Sequence, residues 1–158
     1  MISRPEPLWA RPLTLDEICR RYLGGCDRYL GVELTAIGPD WIEGRVPTSE
    51  RTRDPYGDNY AAAIAVLAET LGSIAANICV AVGKRGVGQS LAVHYLRPVT
   101  AGPITGRASP VSITRPTHIW RIDLRDESEA LVSTATLSIA ILEPRAPPSF
   151  ADAGVQRT

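Results

Sequence analysis

A chain of 158 residues can build one domain whose core needs no disulfide staples. Its seventeen lysines and arginines cancel its seventeen aspartates and glutamates, which excludes an overall field drawing nucleic acid or an anionic membrane, so an anionic ligand must be met locally. Cys19, Cys26 and Cys79 are odd in number and form no C-x-x-C pair, which excludes a disulfide framework and suits reduced thiols.

In chain order, MISRPEPLWARPL interrupts with prolines and charges the apolar stretch that a signal peptide requires, so the expected location is cytoplasmic. TLDEICRRYL sets Thr14 and Glu17 at capping-box spacing, with Leu15, Ile18, Cys19 and Tyr22 on one side, and predicts a short amphipathic helix. Residues 1–28 therefore read as an arm and a short helix. YLGVELTAIG and DWIEGRVP read as a strand hairpin turning at Gly38-Pro39-Asp40.

The run Ala61 to Val82 is 22 residues long with one formal charge, about the length that spans a bilayer. Glu69, Thr70, Ser73 and Asn77 recur through its middle, however, and the segments that follow alternate in polarity as half-buried strands do. In HIWRIDLR, Trp120, Ile122 and Leu124 point one way and Arg121, Asp123 and Arg125 the other. QSLAVHYLRP, PITGRASPVSI and ALVSTATLSIAILE are the other strands, separated at Gly102-Pro103 and at DESE. The pattern predicts an α+β fold, an antiparallel sheet of about five or six strands around one long helix that is buried nearly all round, with no membrane span. Residues 29–143 form this domain, and 144–158, PRAPPSFADAGVQRT, read as a loose proline-rich tail. Phosphate-binding glycine loops, metal-ligand clusters and G-x-S-x-G elbows are absent from the sequence, so neither metal nor cofactor is called for. His94 and His118, the only histidines, pair with no nucleophile.

The order of a strand hairpin, ERTRDPYG, a helix with LAETLGS, then HYLRPV and an IW strand running into DESEALVSTATLSIAIL resembles the hotdog fold of the phenylacetate-degradation (PaaI) type, which includes acyl- and aryl-coenzyme A thioesterases. The resemblance covers about Tyr29 to Leu142 and implies a homodimer or a dimer of dimers. It also implies that Glu69 acts as general base or nucleophile on a thioester carbonyl, with Ser73, one turn on, positioning water. A carboxylate set in an apolar helix would lose hydration and so rise in pKa toward the working pH. The backbone amide of Ala61, at the helix start, is the implied oxyanion donor. Ala61 and Glu69 are eight residues apart, roughly 12 Å along one helix. One thioester carbon cannot meet both from a single chain, so the shared mechanism calls for two copies.

The sequence departs from its relatives at DPYGDNYAAA, where the family commonly reads QPYG, two residues and HGGA. Asp54 stands in place of a donating glutamine, Tyr60 in place of a histidine, and Ala61 and Ala62 in place of glycines, with Asn59 beside them. Asp54 brings a second acid toward Glu69, and two close carboxylates titrate as a pair. For substrate binding, Asn59 and Ala62 are the candidates at this entrance, and the resemblance carries over His94 and Arg97 in HYLRP, and Thr114 and Arg115 in the turn SITRPTH, arginine being suited to phosphate. The expected function is hydrolysis of an acyl- or aryl-coenzyme A thioester. The alternative is a hotdog protein that binds such a ligand without turning it over, which the altered entrance DNYAA favours and the retained AETLGS opposes.

Overall fold

The computed structural model describes residues 7–59 and 61–143. Tyr60 and the proline-rich tail, 144–158, lie outside the described residues. The elements run α1 (Leu15–Tyr22), α2 (Gly25–Leu30), β1 (Glu33–Ile37), β2 (Ile42–Val46), α3 (Ala61–Cys79), β3 (Arg85–Tyr95), β4 (Ile104–Ile113), β5 (Thr117–Arg125) and β6 (Leu131–Leu142). Six antiparallel strands in the order β1-β2-β4-β5-β6-β3 form one sheet, with α3 as its filling, as the alternating polarity predicts.

Register shifts between Leu34 and Ala36, between Gly88 and Ser90, and between Pro110 and Ser112 each interrupt pairing. Such irregularities bend and twist a sheet, and here the sheet curls around a helix. The inner faces alternate cleanly: His118, Trp120, Ile122 and Leu124 of β5 are buried, while Arg121 is exposed. Helix and sheet approach closely because glycines face each other's leucines. A Cβ at Gly106 would come within 2.9 Å of Leu71, and one at Gly72 within 2.6 Å of Leu137. Leu71 and Leu67 are fully buried, each worth roughly 1.5–3 kcal/mol.

The N-terminal arm straps one end of the roll. Leu8 N–H donates to Pro39 O (2.7 Å), Ala10 N–H to Ile78 O (2.9 Å), and Trp9 stacks on Trp120 with ring centroids 6.5 Å apart. Thr14 and Glu17 form the capping box of α1 as the sequence spacing predicts.

One element departs from the sequence reading. Tyr29 and Leu30, read as the start of a strand, end α2 instead, and the 28/29 boundary falls inside that helix. Gly31, at φ 78, ends it in a left-handed conformation that glycine adopts without strain. Six residues that begin with a glycine have little helical propensity of their own. Packing on α3 supplies what is missing: Thr70 Oγ1 donates to Asp27 Oδ1 at 2.5 Å.

Candidate active site

Helix α3 is not buried all round. Eleven of its nineteen residues are buried, and Ala62, Ala65, Val66, Glu69, Ser73 and Asn77 follow one another at spacings of one, three and four as an open stripe. The sheet wraps only one side of the helix, and β3 is one of its two edge strands. Glu69 is therefore partly exposed in a single chain, and the dry surroundings expected from the sequence are not supplied by this chain's own fold.

Ser73 Oγ donates to Glu69 Oε1 at 2.6 Å, as the one-turn spacing predicts. Gly88, at the bulge of β3, faces the same carboxylate: a Cβ there would lie 3.3 Å from Oε1. One turn further on, Asn77 Nδ2 donates to Ser73 O (2.8 Å) and Asn77 Oδ1 accepts from Gly86 N–H (2.9 Å), which ties the helix to the edge strand. Beside this row lies an open cleft of about 500 Å³. Its other walls are Tyr22, Cys26 and Asp27 from the N-terminal helices and Leu91 from β3. The sequence reading assigned none of these four to the site, since nothing local in GGCDRYL shows that α2 folds back over α3. The three thiols are free, and burial pushes Cys79 up to about 12.

The start of α3 is held from several directions. Asn59 N–H donates to Val99 O (2.7 Å), Asn59 Nδ2 to Thr48 Oγ1 (3.1 Å), and Tyr95 Oη to Ala61 O (2.9 Å). Partial burial pushes the Tyr95 phenol up. Ala61 and Ala62 are exposed on the first turn. Asp54 faces its own loop: Oδ1 accepts from the amides of Tyr56 (2.8 Å) and Asp58 (3.0 Å), closing a turn. Within one chain, the other carboxylate lining the cleft of Glu69 is Asp27.

The residues carried over for carrier recognition fall into two places. His94 and Arg97 are exposed at and beyond the C-terminal end of β3. Thr114 and Arg115 lie in the β4–β5 turn, where Thr114 Oγ1 donates to Thr117 O (3.4 Å) and Arg115 approaches Glu143 (3.9 Å). Thr117 pairs with Ala140, which pairs with Val87, so this turn sits near the start of β3. His94 is seven residues further along that strand, roughly 23 Å at 3.3 Å per residue. One chain does not bring the two pairs onto one phosphate.

The description of the thioesterase superfamily matches residues 56–133. A proofreading thioesterase EntH from Cronobacter turicensis is 33% identical over 135 residues, covering 85% of this chain and 98% of that relative. The crystal structure of a thioesterase from Haemophilus influenzae superposes with a TM-score of 0.85 at 33% identity, covering 90% of this chain and 99% of that one. The phenylacetic acid degradation protein PaaI from Thermus thermophilus, in a mutant structure, shares the fold with a TM-score of 0.67 at 23% identity, covering 73% of this chain and 97% of that one.

Proposed function

The chain belongs to the thioesterase superfamily, and we propose that it hydrolyses acyl- or aryl-coenzyme A thioesters with Glu69 as the catalytic carboxylate. The observation that carries the assignment is the Glu69–Ser73 hydrogen bond at the wall of an open, largely apolar cleft. Such a carboxylate takes a proton from water held beside Ser73, or attacks the thioester carbon itself. Negative charge then develops on the carbonyl oxygen, where a helix-start amide stabilises it. The Ala61 amide, roughly 12 Å along α3 from Glu69, serves the site of a second copy.

A homodimer, or a dimer of dimers, is supported by two features. The eleven residues of β3 leave one edge unpaired among the described residues, and the open stripe of α3 lies beside it. A second copy covering both would remove water from Glu69, which this chain's own fold leaves undone. Release of free thiol from a panel of short, long and aromatic acyl-coenzyme A esters tests the reading. Turnover of at least one class is the expected result, and inertness toward all of them would leave a ligand-binding protein. Light scattering at micromolar concentration should give twice the chain mass or a multiple of it, and a monomer would remove the shared site.

A further inference from the structure

The cleft of Glu69 holds a second carboxylate, which the hydrolysis of a thioester does not use. Asp27 of α2 lines it, and Thr70 Oγ1 of α3 donates to Asp27 Oδ1 at 2.5 Å. Asp27 Oδ2 accepts a long bond of 3.5 Å from Gly24 N–H. Thr70 follows Glu69 in the chain, so the two acids are held at neighbouring residues of α3, whose Cα atoms lie about 3.8 Å apart. Among the described residues, Asp27 forms no ion pair, and neither lysine nor arginine lines the cleft. Cations gather instead in a second cleft, of about 520 Å³, which shares Tyr22 and Asn77 with the first and is lined by Arg21, Lys84 and Arg85 among others. Much of what remains of the Glu69 cleft is apolar, from Ala65, Val66, Ile74 and Leu91.

We propose that Asp27 sets the charge selectivity of the acyl pocket, admitting uncharged acyl groups and turning away those that end in a carboxylate. The proposal rests on the thioester reading and deepens it by naming a substrate class. An acyl group whose carbonyl lies at Glu69 has Asp27 beside it, because Thr70 holds that carboxylate against the same helix. A terminal carboxylate four carbons beyond the carbonyl carbon is roughly 5 Å from it, within reach of Asp27. No cation in the cleft neutralises it there. Like charges a few ångströms apart cost about fivefold in affinity even in bulk water, and more beside protein walls. A terminal amide of the same size meets no such repulsion and can donate to Asp27 Oδ2. Glu69 repels an acyl carboxylate as well, but its charge serves the hydrolysis of every ester. The discrimination that can be altered without removing the base therefore lies at Asp27.

The test compares two coenzyme A thioesters of one size, glutaryl and 4-carbamoylbutanoyl, which differ in a terminal carboxylate against a terminal amide. The wild type should favour the amide ester in kcat/KM by about tenfold or more. Asp27→Asn keeps an acceptor for Thr70 and removes the charge, so the preference should shrink by about fivefold or more, chiefly through KM of the glutaryl ester. Asp16→Asn removes a charge of the same sign from an exposed position in the first turn of α1, outside the cleft, and should leave the preference unchanged. A purely structural role for Asp27 would slow both esters together and preserve their ratio. A preference that survives in Asp27→Asn, or that falls equally in Asp16→Asn, overturns the proposal, as does a wild type that hydrolyses both esters alike. Should Asp27→Asn fail to fold, Cys26→Lys changes an exposed residue of the same wall, keeps the bond from Thr70 to Asp27, and should shift the preference in the same direction. If the wild type turns over neither ester, binding decides, by calorimetric titration with the thioethers S-(4-carboxybutyl)- and S-(4-carbamoylbutyl)-coenzyme A, which cannot be hydrolysed. Tighter binding of the amide thioether by the wild type, lost in Asp27→Asn, upholds the role of Asp27 without turnover, whereas equal affinities in the wild type overturn it.

Discussion

Ser73 Oγ donates to Glu69 Oε1 across 2.6 Å, so one carboxylate oxygen is held in place while the other stays available to the cleft. Replacing Glu69 with glutamine preserves size and removes basicity, and Ser73 can still donate to the amide oxygen. The thioester turnover of Glu69→Gln should fall by about two or more orders of magnitude with an unchanged melting temperature. Ser73→Ala should cost less, about tenfold in kcat, since it removes one hydrogen bond to a charged group. Thiol-release kinetics checks both, and retained activity in Glu69→Gln would return Glu69 to a purely structural role.

The bond from Thr70 to Asp27 anchors α2, an element with little propensity of its own, onto the wall of the cleft. Thr70 is buried, so Thr70→Val conserves shape while leaving Asp27 without its donor. A loss of about 1–2 kcal/mol is expected in urea unfolding, discounted because Asp27 keeps some access to water. Hydrogen exchange should accelerate first across residues 25–30. Unchanged protection there would mean that α2 does not depend on this contact.

His118 is buried at 4% exposure, with Nδ1 lacking a hydrogen-bond partner among the described residues. Burial, then the charge of Arg115, push its pKa below the ordinary value of 6.5. The unfolded chain therefore binds a proton at His118 before the folded one does. Stability is complete above about pH 6.5 and declines as pH falls through the depressed folded value. The depressed carboxylates Glu17, Asp126 and Glu143 act at more acid pH, below their ordinary 3.8–4.5, so the windows separate. In His118→Leu the fall in melting temperature between about pH 7 and about pH 5.5 should shrink. An unchanged slope would assign that fall to other groups.

Much of this architecture is legible in local pattern. Alternation in HIWRIDLR sets the inner face of β5, and the spacing of Glu69 and Ser73 on a helix is enough to predict their contact. What escaped the sequence depends on distant chain segments. Tyr22 reads as one more apolar residue of an amphipathic helix, yet the fold places it between two clefts. The open stripe of α3 was hidden because alanine and valine look the same whether a sheet or nothing covers them, and hydropathy alone does not reveal where the sheet ends.

Asp54 shows the same limit and provides the last test. Read beside its relatives, it is an acid in a glutamine's place, poised to share a proton with Glu69 across two copies. In the chain's own fold, its Oδ1 closes a turn onto the amides of Tyr56 and Asp58, in the loop that leads to Asn59 and α3. The two roles respond differently to substitution. Asparagine keeps an acceptor oxygen at the same reach and removes the charge, whereas alanine removes both. If closing the turn is the role, Asp54→Asn should retain the melting temperature and the pH–rate profile of the wild type, while Asp54→Ala should lose about 1 kcal/mol and raise KM as the helix start loosens. If Asp54 shares a proton with Glu69, Asp54→Asn should move the pH–rate profile, because the pair no longer titrates together. An Asp54→Asn profile displaced from that of the wild type would therefore refute the turn-closing account and place Asp54 at the reacting centre.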